Sequence, residues 1–245
     1  MFKSNFSFLK KFMTCLVSGF VLSGLILLIG NGGNIPWLPP YLIFSCVGMV
    51  TLTSIVFPII WHKRSNRFAS EDQFIFGKLF HLIHWTIATN LIFFGMKKFF
   101  GLQFIVPAEI AALSANKMSG EWLTWFYFGY SAAYSMIIAC IQIIGSLLLL
   151  YKRTSLMGVF ILLSVMVNLT LINIFYNMNA GALLQSVIIT IGLIFILVNH
   201  FERLKSIFFI PPVISSNSHS AKKYLPTLVL LISCILFTFY LTQLD

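Results

Sequence analysis

His81 and His84, three residues apart, and five amides set inside apolar runs are the side chains of this 245-residue chain whose types and spacing could do chemistry. Residues at i and i+3 share one helix face. The two imidazoles, with His62 and His200 near the same boundary, are therefore weak candidates for a metal site, and only if the rings converge. No metal site is assigned on that spacing alone, and haem is disfavoured. The amides are Asn90, Gln142, Asn168, Asn173 and Gln185. A polar group in hydrocarbon is costly unless paired, so each should face another helix or a cavity. Counted from its loops, Gln142 lies near the middle of its apolar run, and Asn173 and Gln185 lie in the outer halves of theirs with Tyr134 and Tyr176. These residues either line an outward-facing pocket or make interhelical hydrogen bonds worth about 0.6–2 kcal/mol each. Nothing in the chain resembles a P-loop, a GxGxxG turn, an HExxH helix or a Ser/His/Asp set, so no catalytic residue is assigned. All six acids (Glu71, Asp72, Glu109, Glu121, Glu202 and Asp245) fall in predicted loops or at a terminus. A proton-coupled carrier working through a buried carboxylate is thereby disfavoured.

The elements that must position these groups are membrane helices. Hydrophobic residues make up 59% of the chain and charged residues 9%, against about a quarter charged in a soluble domain. A spanning helix needs about 20 mostly apolar residues. Seven stretches qualify: Met13 to Ile29, Tyr41 to Trp61, Leu79 to Phe94, Ala132 to Leu150, Leu156 to Phe175, Leu183 to Asn199 and Leu225 to Leu241. The net charge of +10 does not point to nucleic acid, because the basic residues form short clusters between apolar runs rather than one solvated face. With a cytoplasmic N-terminus, every Lys and Arg except Lys97, Lys98 and Lys117 falls on the cytoplasmic side, as the positive-inside bias requires. Dropping one span would reverse every later loop. The fold class is thus an all-α polytopic bundle of about seven transmembrane helices, its first helix an uncleaved anchor.

Cys15, Cys46, Cys140 and Cys234 sit in apolar runs without CxxC spacing and read as packing residues. Asn31 to Pro40 reads as an irregular turn with Trp37 at the interface. In the longer outer segment Pro107 suits the start of a short helix, and Ser119-Gly120-Glu121 the start of another. One straight helix from Gly120 to Leu150 would be about 46 Å long, too long for a ~30 Å core, so a break is expected near Gly129-Tyr130-Ser131. The chain divides into residues 1–76, with two helices and a basic loop; 77–200, a four-helix core; and 201–245, a linker with Pro211-Pro212 and a seventh helix.

The stretch from Gly95 through Lys98 to Gln103-Phe104, preceded by Phe94, resembles the Tyr-Gly-x-x-Lys-x-x-x-x-Gln-Phe motif of the DoxX-like family. Gly129-Tyr130-Ser131 with Tyr134, Gly145 to Thr154, and Asn168 to Tyr176 are similar to the family's later helices. The resemblance covers about residues 79–199. It implies a four-helix membrane core linked to quinone and thiosulfate redox chemistry, and it adds Lys98 and Gln103 to the polar cluster. Three positions depart from it: Gln142 stands where a glutamate is expected, Asn177 where an aspartate is, and Gly181 where a lysine is. Charges in lipid are lost as a unit, since removing one partner strands the other. The resemblance then implies a member that keeps the bundle without the charged set.

Three functions follow as expectations. The first is a non-catalytic membrane subunit that binds membrane or periplasmic proteins or a lipid-like molecule such as a quinone. The others are a quinone-linked oxidoreductase subunit and a transport or export component. The expected location is the bacterial cytoplasmic (inner) membrane. With Gln142 near the midplane, where a lone carboxylate carries the desolvation cost, and Gly181 in place of the family's lysine, Gln142→Glu alone should destabilise the bundle, and Gly181→Lys should recover part of the loss.

Overall fold

The computed structural model describes residues 6–64 and 69–208. Its elements are helical: α1 (Phe8–Ile29), α2 (Pro40–Arg64), α3 (Ala69–Phe99), α4 (Ala108–Ala111), α5 (Gly120–Gly129), α6 (Ala132–Leu150), α7 (Ser155–Phe175), α8 (Ala180–Asn199) and α9 (Phe201–Phe208). Among the described residues six helices, α1, α2, α3, α6, α7 and α8, are long and apolar enough to cross a bilayer. The expected seventh span, Leu225 to Leu241, lies outside the described residues, as does most of the linker before it. The chain separates into a unit of residues 1–202 and a second of residues 203–245. Everything below concerns the first.

The helices begin where side chains can take up free N–H groups. Ser7, Ser119, Ser131 and Asn179 each accept a hydrogen bond from the backbone N–H three residues on, the usual way to satisfy a first-turn donor. Ser131 ends the irregular step after α5, so α5 and α6 are separate helices and the break expected near Gly129 to Ser131 is present. The third span is longer than sequence reading suggested. α3 starts at Ala69 rather than Leu79, and its candidate span begins at Glu71. Asp72 is therefore a helical residue, and a fully buried one, contrary to the loop assignment.

The physical reason is a partner. Lys11 Nζ of α1 lies 2.7 Å from Asp72 Oδ2, with the two side chains 1% and 0% exposed. Trp61 Nε1 of α2 donates to Asp72 Oδ1 at 2.9 Å, and the Lys11 ammonium sits 5.2 Å from the Trp61 ring centroid. A buried carboxylate persists only when paired and hydrogen-bonded. This cluster ties the first three spanning helices at the end of the bundle where α1 and α3 begin, called here the near end.

Five helices form a closed ring: α1 packs on α3, α3 on α6, α6 on α7, α7 on α8, and α8 back on α1, while α2 packs on α1 from outside. α1 is thus one wall of the bundle. Its small and hydroxyl residues Ser18, Gly19, Ser23 and Gly24 are buried, which lets helix backbones approach closely where lipid gives no hydrophobic drive for association. Gly192 of α8 plays the same part: a Cβ there would lie 2.6 Å from Ile87 of α3 and 3.1 Å from Val21 of α1. Towards the near end the ring is filled by Val17, Val21, Ile83, Ile87, Leu91, Leu149, Val159, Leu162, Ile189, Leu193 and Ile196. Apolar side chains such as Leu52, Ile55, Ile59, Ile144, Leu171 and Val198 are exposed around the outside, the surface expected of helices that face lipid.

Candidate binding cavity

At the far end, where α1, α3 and α7 finish, the ring is not filled. A cavity of about 550 Å³ opens there, within the ~300–1,000 Å³ typical of small-molecule sites. Its walls are mainly apolar: Leu27, Leu28, Leu91, Phe94, Met166, Leu169, Ile172 and Ile189 contribute from α1, α3, α7 and α8. Its rim includes Phe44 of α2 and Leu184 of α8, both exposed on the outside of the bundle.

The polar groups fall into two sets. Those of the first are satisfied by neighbouring helices. Gln185 Nε2 donates to the Gly24 carbonyl of α1, and Gln185 Oε1 accepts from Asn90 Nδ2 of α3 at 3.2 Å. A side chain at Gly24 would crowd this amide, since a Cβ would sit 3.1 Å from Gln185 Oε1. Asn173 Nδ2 donates to the Ala182 carbonyl at 3.0 Å and to Ser186 Oγ at 2.8 Å, closing the α7–α8 hairpin.

The second set is not satisfied. Gln142, 1% exposed, lines the cavity, and its Oε1 has no hydrogen-bond partner among the described residues. Gln103 Oε1 is buried on the same cavity, equally without one, and Asn90 Oδ1 beside it is a third such atom. Lys98, near the end of α3, is 6% exposed and lines the cavity. Among the described residues no carboxylate lies within ion-pair distance of it, and no acid lines the cavity. Its Nζ instead lies 5.7 Å from the ring centroids of Phe94 and Phe104, a cation–π arrangement that offsets part of the cost of burial. Lys97 also reaches the cavity and rests over Phe93.

The segment between α3 and α6 forms one wall. Phe104 takes a left-handed backbone, φ +66°, which costs a bulky residue and persists only where the surroundings hold it. They do so by stacking: its ring lies 5.1 Å from Phe128 and edge-on to Trp125, both of α5. Thr124, Trp125 and Phe128, one face of α5, line the cavity together.

Of the residues expected in the polar cluster, Lys98, Gln103, Gln142, Asn173 and Gln185 line this cavity, and Asn90 bonds to Gln185 at its wall. Three do not. Asn168 is exposed on the outside of α7; Asn168 and Asn173 are five residues apart, about 140° around the helix. Tyr134 is exposed and stacks on Phe128 from outside. Tyr176 is exposed, its carbonyl against Gly120. The histidines serve the near end instead. His84 bonds through Nδ1 to the Phe80 carbonyl at 2.7 Å and through Nε2 to Ser155 Oγ of α7 at 3.1 Å, while His81 is exposed. Both ring nitrogens of His84 are therefore engaged within the bundle. Among the described residues no three His, Cys, Asp or Glu side chains are placed to hold a metal ion.

Sequence reading missed the aromatic wall, Phe104, Trp125 and Phe128, and the contribution of α1. Trp125 and Phe128 sit at i and i+3 on α5, a spacing that could have marked an inward face. Gly181 and Gln142, two of the three positions departing from the family pattern, line the same cavity; Asn177, the third, is exposed with φ +49°.

No family model matches the chain, and no solved structure does. Over 88 residues it is 35% identical to the uncharacterized protein YwoB of Bacillus subtilis (strain 168), an alignment covering 36% of this chain and 55% of that one. The chain thus spans about half the length of that relative.

Proposed function

We propose that this chain is a multi-pass protein of a bacterial cytoplasmic membrane, of DoxX-like type, that holds one lipid-like molecule in the far-end cavity as a non-catalytic subunit of a larger assembly. The observation that carries the reading is the cavity itself: apolar walls, a rim of apolar side chains exposed on the bundle's flank, and unpartnered polar groups inside. A molecule with an apolar body and a polar head, a quinone among them, matches that lining. The six apolar helices support the bilayer setting. Lys98 and Gln103, two residues of the DoxX-like motif, both face the cavity, which supports that family reading. Among the described residues of this unit, most basic side chains belong to near-end segments, which supports a cytoplasmic N-terminus and an extracytoplasmic cavity.

The test is purification of the full chain in mild detergent, followed by mass spectrometry of the small molecules and proteins that come with it. Wild type should carry about one lipid-like molecule per chain. Gly181→Trp should lose it, because a Cβ at Gly181 has open space, its nearest neighbour being Asn179 Oδ1 at 3.4 Å, and the indole would occupy the cavity. Equal recovery from both proteins, with Gly181→Trp folded, would contradict the reading.

A further inference from the structure

Resting on the reading that a lipid-like molecule occupies the far-end cavity, we infer that this molecule is an acidic lipid whose headgroup also carries hydroxyl groups, its acid held by Lys98 and its hydroxyls by Gln103 and Gln142. The inference starts from what the cavity lacks. Lys98 brings a buried positive charge with no carboxylate near it among the described residues, and Lys97 brings a second at the cavity edge. Among the described residues no Asp or Glu lines the cavity. A buried ammonium with aromatic rings but, among the described residues, no carboxylate beside it is costly until an anion meets it. Two buried amide oxygens among the cavity's lining residues, of Gln103 and Gln142, have no donor among the described residues.

The missing ligand must therefore supply one anionic acceptor and at least one O–H or N–H donor. An oxidised quinone offers acceptors only, so it meets the lysine but neither glutamine oxygen. A choline headgroup brings a phosphate but also a fixed positive charge against two lysines, and no donor. A phosphate ester with free hydroxyls, of the phosphatidylglycerol kind, supplies both requirements. Its acyl chains suit the exposed apolar rim at Phe44 and Leu184. Free inorganic phosphate shares the headgroup chemistry but would leave the apolar walls unused.

The experiment is thermal unfolding of the full chain in a neutral detergent. Four probes are compared: short-chain phosphatidylglycerol, phosphatidylcholine of the same chain length, a short-chain naphthoquinone and inorganic phosphate. A ligand that binds only the folded state raises Tm in proportion to the logarithm of its concentration over Kd. Phosphatidylglycerol should raise Tm by several degrees, and the other three by little. In Lys98→Met its affinity should fall roughly 30-fold or more, the usual effect of removing one partner of a buried charge pair, and Lys98→Arg should restore most of it. Gln142→Leu should weaken binding less, by several-fold. Without lipid, Lys98→Met should be as stable as wild type or more so, because it removes an unpaired buried charge.

Equal shifts with phosphatidylcholine or the naphthoquinone would overturn the acidic headgroup while leaving the lipid-like reading in place. An equal shift with phosphate alone would overturn the lipid as the source of the acid. No shift with any lipid or the naphthoquinone would end both readings. A Lys98→Met protein less stable than wild type without lipid would make Lys98 a structural residue and refute the inference.

Discussion

Gln142→Glu places a carboxylate on the cavity wall, at a position 1% exposed. From sequence alone the change should destabilise, since a lone carboxylate near the midplane carries its own desolvation cost. Lys98, which lines the same cavity without an acid partner among the described residues, argues for a smaller cost. Two opposed costs set the magnitude. Burying the new carboxylate costs several kcal/mol, and breaking a buried ion pair by removal of one partner costs about 3–5 kcal/mol. In wild type Lys98 already bears its own desolvation, so the new carboxylate recovers an attraction of similar size. Gln142→Glu should thus lie within about 2 kcal/mol of wild type, while in a Lys98→Met background the same change should cost about 3–5 kcal/mol. The coupling energy from denaturant unfolding of the four proteins in mixed micelles should be of the order of 3 kcal/mol. Gly181→Lys, also on the cavity, should then add little to Gln142→Glu, because its acid is already paired. Coupling below about 0.5 kcal/mol, the scatter of independent sites, would refute the argument that Lys98 and Gln142 share one site.

Asp72→Asn should cost about 3–5 kcal/mol by leaving the Lys11 ammonium without its carboxylate, whereas Lys11→Met with Asp72→Leu should lose much less; unfolding of both variants in detergent decides it. Asn168→Leu should leave stability unchanged or slightly raised and leave ligand binding untouched, because the amide faces outward from α7; a fall in ligand affinity would return Asn168 to the site. In a cysteine-free background, a single cysteine at residue 117 should react with an impermeant reagent added outside cells and one at residue 153 should not. Strong labelling at 153 with none at 117 would invert the topology.

Six spans and the break before α6 were legible because they depend on local signals: apolar runs of bilayer length and serine caps. The start of α3 was not, because Asp72 looks like a loop residue until Lys11 of another helix is brought to it, and that pairing is a tertiary fact. The place of α1 was not read: its small residues Gly19, Ser23 and Gly24 could have marked close packing, but not against which helices. In the cavity, the amides of α8 and the end of α7 were readable from depth within an apolar run. Asn168 was misplaced because depth was counted without angle: 140° around a helix separates an inward side chain from an outward one. Lys98 and Gln103 came from the family resemblance rather than from pattern, since a lysine at the end of a span ordinarily reads as a snorkelling interfacial charge. Phe104 could not be foreseen, because its left-handed backbone is held by Phe128 and Trp125, more than twenty residues later.

Occupancy of the cavity can be read directly with a phosphatidylglycerol carrying a photoactivatable diazirine in its acyl chain, incorporated into vesicles with the full chain, irradiated and mapped by peptide mass spectrometry. Adducts are expected on Met166, Leu169 and Phe128, which line the cavity, and should disappear when Gly181→Trp fills it. Adducts confined to outward-facing residues such as Ile144 and Leu171, identical in wild type and Gly181→Trp, would mean that lipid touches only the outside of the bundle and would contradict the central claim.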